Sequence, residues 1–534
     1  MATMRKGKTM AISARNCSRE SCLGPRPRTT IRSVNLTVRA LYFPTILALF
    51  VGGCSEKTSS MEGRPVGGKE AGVQGTGSVP TPAPLAGDAS VAAGALPKPV
   101  ETDPRKATLE WFRTVLPSGG VATDESGKIV LRHQIASSET PASIAKLYLP
   151  FSKIYLEEDL AEAIAKRIAK SAGTIEIPSP IQAKFKSADE ERLGWPKDLS
   201  LRGIYLGGNF ARQTWIETLD KMVARGMNAV VLDSKDYMGP VVYPSKVALA
   251  VETGATKHAP IRDMARTIRF AHDRGIRIIL RISCFHDPFM MKAKPDLSLK
   301  YTNGKPAPYE WIDPVNKDAQ DYVIDLVKEG MEMGADEIQL DYVRFPVQKG
   351  LKWIQLPPHG VIRTELIRDF AKRVHDVTSA RKVPLSLDIF GVASTGTRED
   401  IEALGQDIEL LSSVAEALSP MVYPSHYYDG FMGFDKPGAH AEVVRVGTAA
   451  AVKQVETARK KWQEAHPGEK REFAVIRSWL QAFNWNSPGF GPKYIYDQTK
   501  EAEKGGGVGW LLWDPSCMYF QTWPAFPKKN AASE

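Results

Sequence analysis

The stretch EIQLDYVRFP, residues 337–346, runs a short buried strand, Ile338 to Leu340 behind Glu337, straight into a carboxylate, two aromatics, an arginine and a proline. A parallel barrel delivers such polar residues to the C-terminal ends of its strands, where its site lies. On that reading Glu337 to Leu340 build a strand, and Asp341 to Pro346 carry the chain out into the mouth. Seven other stretches read the same way, at 203–209, 228–236, 277–285, 384–391, 418–424, 473–481 and 508–514.

Between these apolar runs lie segments with apolar residues at three and four spacing, such as TWIETLDKMVARG and AQDYVIDLVKEGMEMG, the period of an amphipathic helix. Several end at a C-cap glycine, including Gly226, Gly275 and Gly334. Near-continuous apolar strands alternating with helices are parallel strands covered by helices. Eight units predict an α/β fold, a (β/α)8 TIM barrel over residues 194–525. An open doubly wound sheet is disfavoured because GGNFARQ, after the first strand, has neither dinucleotide-fingerprint spacing nor a Walker lysine.

The strand ends then supply the candidate site. The first gives Asn209, the second Asp233, Lys235 and Asp236, and the third His286 and Asp287. Asp341 and Arg344 end the fourth and Asp388 the fifth; Tyr423 and His426 follow the sixth, Gln481 and Asn484 the seventh, and Asp514 the eighth. Adjacent strands lie about 5 Å apart, so Asp341 and Asp388 fall within the separations used in glycoside hydrolysis, roughly 5 Å for retaining and 6.5–9.5 Å for inverting chemistry. That reaction needs one ionised and one protonated carboxyl. Asp341 is expected to be the ionised partner with Arg344 stabilising its charge, and Asp388 the acid, with Asp233 and Asp236 as rivals. Aromatics crowd the same ends, and Trp311, Tyr342, Tyr423 and Trp485 are expected to pack against sugar rings. No HExxH or paired metal spacing occurs among the nine histidines, and there is no GxSxG elbow; neither a metal nor a cofactor is expected.

GIYLGGN, MNAVVLDSKDYMGPVVYPS, IRIILRISCFHDPFMMKAKPDL, the long WIDPVNKDAQ…DEIQLDYVRFP segment and LDIFG together resemble a glycosyl hydrolase domain family long known as a domain of unknown function. It is a TIM-barrel relative of the α-amylase-like hydrolases. The resemblance covers about residues 200–520 and implies a glycosidase fold with Asp341 in the nucleophile position. The amylase-like pattern has an arginine two residues before that aspartate and a glutamate on the fifth strand, where this chain has Gln339 and Asp388. A catalytically silent glycan-binding or scaffolding barrel is the alternative.

The net charge of +9 does not signal nucleic-acid binding. Residues 1–53 hold nine Lys or Arg against one acid, Glu20, so this leader carries +8 and the remainder is nearly neutral. The leader ends in a short apolar run, Ala40 to Val51, then Gly52, Gly53 and Cys54. It resembles a lipoprotein signal peptide and predicts lipidation at Cys54. Ser55 behind it predicts an extracytoplasmic protein anchored in the outer membrane of a Gram-negative cell. Residues 54–105, rich in Gly, Ala, Pro and Ser, predict a disordered tether. Residues 106–193 form a small N-terminal α+β unit. Ser138, Glu139, Thr140, Ile144, Ala145, Tyr148, Ile177 and Pro178 match a LysM glycan-binding pattern in part, but a structural cap with two amphipathic helices is the preferred reading. Cys284 and Cys517 belong to strands that are not neighbours, so no disulfide is expected. The partner expected is a polysaccharide, such as one of the cell envelope.

Overall fold

The computed structural model describes residues 103–171, 173–301, 303–305, 310–346 and 361–528. The leader, Cys54 and the tether up to residue 102 lie outside the described residues.

The N-terminal unit opens on helix Pro104–Val115, where the Asp103 carboxylate accepts the Arg105 N–H at 2.9 Å. Strands β1 (Gly120–Glu125), β2 (Lys128–Gln134) and β3 (Thr174–Glu176) form an antiparallel sheet in that order. Helices Pro141–Tyr148 and Glu157–Ile168 complete its core, with Ile144, Tyr148, Leu160 and Ile164 buried beside Leu131 and Ile175. Arg266, on helix Met264–His272, ties this unit to the barrel by donating to the carbonyls of Tyr155 (2.7 Å) and Ser152 (3.3 Å). A groove of about 550 Å³ beside this junction, lined by Lys153, Tyr155 and Trp215 among others, lies on the outer wall rather than at the strand ends.

The barrel strands are β4 (Leu201–Leu206), β5 (Ala229–Lys235), β6 (Arg277–Ser283), β7 (Glu337–Asp341), β8 (Leu385–Ile389), β9 (Ala417–Pro420), β10 (Val475–Ile476), β11 (Trp479–Gln481) and β12 (Gly509–Trp513). They pair in the order β10-β9-β8-β7-β6-β5-β4-β12-β11, every barrel pair parallel. β10 and β11 are the two halves of one stave. Its first half pairs with β9 and its second with β12, and Arg477 N–H still donates to Leu418 while Ser478 accepts from Leu511. The chain from 475 to 481 therefore closes the sheet, and the eight staves are a (β/α)8 barrel. At Gly509, where β12 meets β4, φ is +77° and a Cβ would stand 2.1 Å from the Leu201 carbonyl oxygen, so only glycine fits the seam.

All eight expected staves form, but most stop earlier than the sequence suggests. β7 ends at Asp341 because Tyr342 takes a left-handed φ of 51°, which breaks the extended ladder. Side chains along β7 alternate. Ile338 and Leu340 join the apolar shell, while Glu337, Gln339 and Asp341, two apart, share the opposite face.

That face looks into the barrel, and Glu337 is no ordinary strand residue. Wholly buried at the start of β7, it is ion-paired with Arg477 and accepts from Trp195 Nε1 at 2.7 Å and Ser386 Oγ. A buried charge persists only when paired and hydrogen-bonded. The same stave therefore carries one charge at the base of the barrel and another at its mouth.

Candidate active site

At the upper end of the interior one guanidinium gathers three carboxyls from three other staves. Arg281, in the middle of β6 and only 2% exposed, donates from Nη1 to Asp233 Oδ1 at 2.6 Å and from Nη2 and Nε to Asp341 Oδ2 at 2.5 and 3.1 Å. Its Nε is also 3.8 Å from Asp388 Oδ2. The rings of Tyr205 and Trp513 flank it at 5.5 and 5.4 Å. Because the Asp341 and Asp388 oxygens lie 3.1 and 3.8 Å from one nitrogen, they are at most 6.9 Å apart.

One cation cannot neutralise three anions in a dry site, so protons make up the difference. Burial holds Asp388 well above the usual carboxylate range, and the charge of Asp341 pushes it the same way. Asp388 Oδ1 accepts the Trp479 indole N–H at 2.6 Å. Burial pushes Asp233 up to about 7, against the pull of Arg281 and of the Tyr205 hydroxyl, which donates to it at 2.6 Å. Burial works against the charge of Arg281, yet Asp341 and then Asp233 hold its guanidinium protonated. Asp341 is the carboxylate with the strongest support for a charge, two bonds from Arg281 and its own Oδ1 accepting the Tyr342 N–H at 2.6 Å.

The coupling of the two carboxyls gives a signed prediction. Asp341→Asn removes the largest charge acting on Asp388, which favours the Asp388 anion, so its titration moves to lower pH. Burial remains and keeps it above an ordinary aspartate. The indole ¹⁵N–H resonance of Trp479 reports the midpoint, and an unmoved midpoint would mean that the two carboxyls do not interact.

The remaining candidates separate into three groups. Tyr342, Trp311, His286 and Tyr237 form an aromatic rim next to Asp341, with Tyr237 and Tyr342 stacked at 6.3 Å and Trp311 and Tyr342 at 5.8 Å. Tyr423, His426, Phe483 and Trp485 form another, with His426 and Trp485 at 5.1 Å. Asn209 and Asn484 are exposed, the former in the first turn of helix Gly208–Val223, and Asp236 is half-buried, its Oδ1 accepting the Met238 N–H at 2.7 Å.

Three residues expected to bind substrate are occupied by the fold instead. Lys235 is wholly buried, paired with Asp287 at 3.0 Å and donating to the Ser283 carbonyl at 2.7 Å. Gln481 spends its amide on the backbone of Ser425, Phe483 and Trp485 and on Ser487 Oγ. Asp514 ties its own loop through Ser516 and Tyr519. Arg344 also departs from expectation, since Arg281 and not Arg344 contacts Asp341. Arg281 was legible only as a lone charge inside the apolar run RIILRIS. Cys284 and Cys517 are free thiols, both buried. Among the described residues no group of three or more His, Cys, Asp and Glu is arranged to hold a metal, and no helix is long and apolar enough to cross a membrane.

A closed β/α barrel whose strand ends gather carboxyls, one cation and two aromatic groups is the frame of a glycoside hydrolase domain. The chain belongs to the family described as "Putative glycosyl hydrolase domain", whose profile spans residues 203–519. Among solved structures, a hypothetical protein from Ruminiclostridium thermocellum ATCC 27405 is 33% identical over 35% of this chain and 96% of its own, with a TM-score of 0.31. An alpha-galactosidase from Thermus thermophilus is 14% identical over 77% of this chain and 73% of its own (TM-score 0.38). A beta-N-acetylhexosaminidase from Bacteroides fragilis NCTC 9343 is 12% identical over 74% and 72% (TM-score 0.37). No curated protein sequence matches.

Proposed function

We propose that the barrel hydrolyses a glycosidic bond in a polysaccharide with Asp341 as the ionised carboxylate and Asp388 as the general acid. The observation that carries this reading is the pair of carboxyls within 6.9 Å beside one guanidinium, of which Asp341 takes two bonds from Arg281 while burial holds Asp388 above the usual carboxylate range. Environments that drive two carboxyls apart in protonation assign the acid and its partner. Asp388 passes its proton to the glycosidic oxygen as the C–O bond breaks, and Asp341 supplies the electron pair to the anomeric carbon, directly or through water. A separation below 6.9 Å supports the direct route, for which carboxyls lie about 5 Å apart, over most of the inverting range of about 6.5–9.5 Å. The expected product therefore keeps the anomeric configuration of the bond cleaved, as read by ¹H NMR before mutarotation. Release of the opposite anomer would assign Asp341 as a base acting on water.

A second reading, a barrel that binds glycan without cleaving it, is favoured by burial. Asp233, Asp341 and Asp388 are 0%, 7% and 1% exposed, so a sugar must come deep into the mouth to reach them. Incubating the soluble protein with envelope and storage glycans separates the two. Sugar release that Asp341→Asn abolishes supports the enzyme, and binding without release supports the silent barrel. The lipobox-like Val51–Cys54 segment and the tether support placing the domain outside the cytoplasm on a lipid anchor, facing the cell envelope as the source of its substrate. Labelling with a fatty-acid analogue, lost in Cys54→Ala, tests that placement.

A further inference from the structure

Among the described residues the buried cations of the barrel interior have carboxylate partners, with one exception. Arg281 meets Asp233 and Asp341, Arg477 meets Glu337, and Lys235 meets Asp287. Arg344 is 8% exposed and has no carboxylate in ion-pair contact among the described residues. Its Nη1 donates to the carbonyl of the adjacent Phe345 at 3.1 Å, and its buried Nε has no hydrogen-bond partner among the described residues. Residues 347–360, which follow it, contain no Asp or Glu. The guanidinium is framed instead by the rings of Trp311, Tyr342 and Phe390 at 5.0, 5.5 and 4.8 Å.

Rings offset part of the cost of a buried charge, but they leave guanidinium N–H groups unsatisfied. Burial accordingly pulls Arg344 below its ordinary pKa. The site lies three residues beyond Asp341, past the left-handed turn at Tyr342 that ends β7. An unpaired guanidinium presents a flat fork of donors that fits an oxyanion, and of the rings beside it Tyr342 and Phe390 are only partly buried and can meet a sugar ring, whereas Trp311 is 3% exposed. Arg281, paired with Asp341, offsets part of the repulsion that this carboxylate exerts on such a group.

Resting on the reading of the mouth as a glycan site, we propose that Arg344 is a subsite for an oxyanion carried by the sugar, and that the substrate is an acidic glycan. The carboxylate of a uronic acid and a sulfate ester share this chemistry.

The test uses the full soluble chain carrying Asp341→Asn, so that binding is read without cleavage. Calorimetry compares oligogalacturonate, oligoglucuronate and a sulfated galactan oligosaccharide with neutral galactose and glucose oligosaccharides of equal length. At least one acidic series is expected to bind tenfold or more tightly than its neutral counterpart, and less tightly as salt rises. Adding Arg344→Gln is expected to remove that preference, and Arg344→Lys, which keeps the charge but not the fork, to retain part of it. The series that binds distinguishes carboxylate from sulfate. Equal binding of acidic and neutral series, no binding of any acidic series, or a preference that survives Arg344→Gln would each overturn the proposal. If Arg344→Gln fails to fold, full preference in Arg344→Lys together with insensitivity to salt does so. Wild-type protein that binds the acidic series but never cleaves it would instead count against the hydrolase reading and leave the Arg344 subsite standing.

Discussion

Arg281→Met is expected to destabilise the barrel by about 3–5 kcal/mol at neutral pH, the usual cost of removing one partner of a buried ion pair. The guanidinium serves Asp233, wholly buried, and Asp341, 7% exposed, and neither has another cation in ion-pair contact among the described residues. Methionine fills much of the space but leaves the carboxyls without a counter-charge, so they take up protons. Asp233, already held at about 7 by burial, loses the pull of Arg281 and is pushed higher, so the loss relative to the wild type grows as pH rises past about 7. The loss measured by urea unfolding should therefore be smaller near pH 5 than near pH 8. Arg281→Met with Asp233→Asn and Asp341→Asn should recover much of it, because no unpaired charge remains. A pH-independent loss below about 1 kcal/mol would show that the cluster is not held by this cation.

The central place of Arg281 also marks where the sequence stops being legible. Eight apolar runs alternating with helical periodicity disclose the barrel, because burial on both faces leaves a strong local pattern. Their ends are less legible. The turn at Tyr342 and the split between β10 and β11 are set by neighbouring staves rather than by local residue preference.

Within the site, the sequence indicates which residues reach the mouth but not which of them the fold has already used. Lys235, Gln481 and Asp514 look like free polar groups in a line of letters. Their partners, Asp287, Ser425 and Tyr519, lie 52, 56 and 5 residues away and meet them only in the folded chain. Arg281 errs in the other direction. It sits mid-strand, where a rule keyed to strand ends does not look, and its long side chain carries the charge to Asp341 on the adjacent stave. The amylase-like pattern places an arginine where Gln339 stands. Arg281, paired in register with Gln339 across β6 and β7, brings a guanidinium to the aspartate from the neighbouring strand.

Asp341→Asn should fold and lose turnover by on the order of 10³-fold, within the range for removing a positioned acid–base group. Folding survives because the amide keeps the shape of the carboxylate and its one oxygen still accepts either the Tyr342 N–H or the Arg281 guanidinium, though not both. Charge balance survives as well. With Asp341 neutral, Asp233, poised at about 7 and already 2.6 Å from Arg281, ionises more readily and takes over as counter-ion. The chemistry cannot be replaced in this way, because Asp233 is wholly buried on β5 and lies on the far side of Arg281 from the contact with Asp388. Asp388→Asn should differ in kind. An aryl glycoside whose leaving group departs without a proton should keep much of its rate, while a natural glycan loses its rate as severely as with Asp341→Asn. Equal loss on both substrates would remove Asp388 as the acid, and full turnover in Asp341→Asn would remove Asp341 from the mechanism. Azide offers a further check on the direct route. In Asp341→Gly it can occupy the space of the missing carboxylate and attack the anomeric carbon, giving a glycosyl azide of inverted configuration, opposite to the retained sugar expected from the wild type; azide and wild-type products of the same configuration would instead assign Asp341 as a base acting on water.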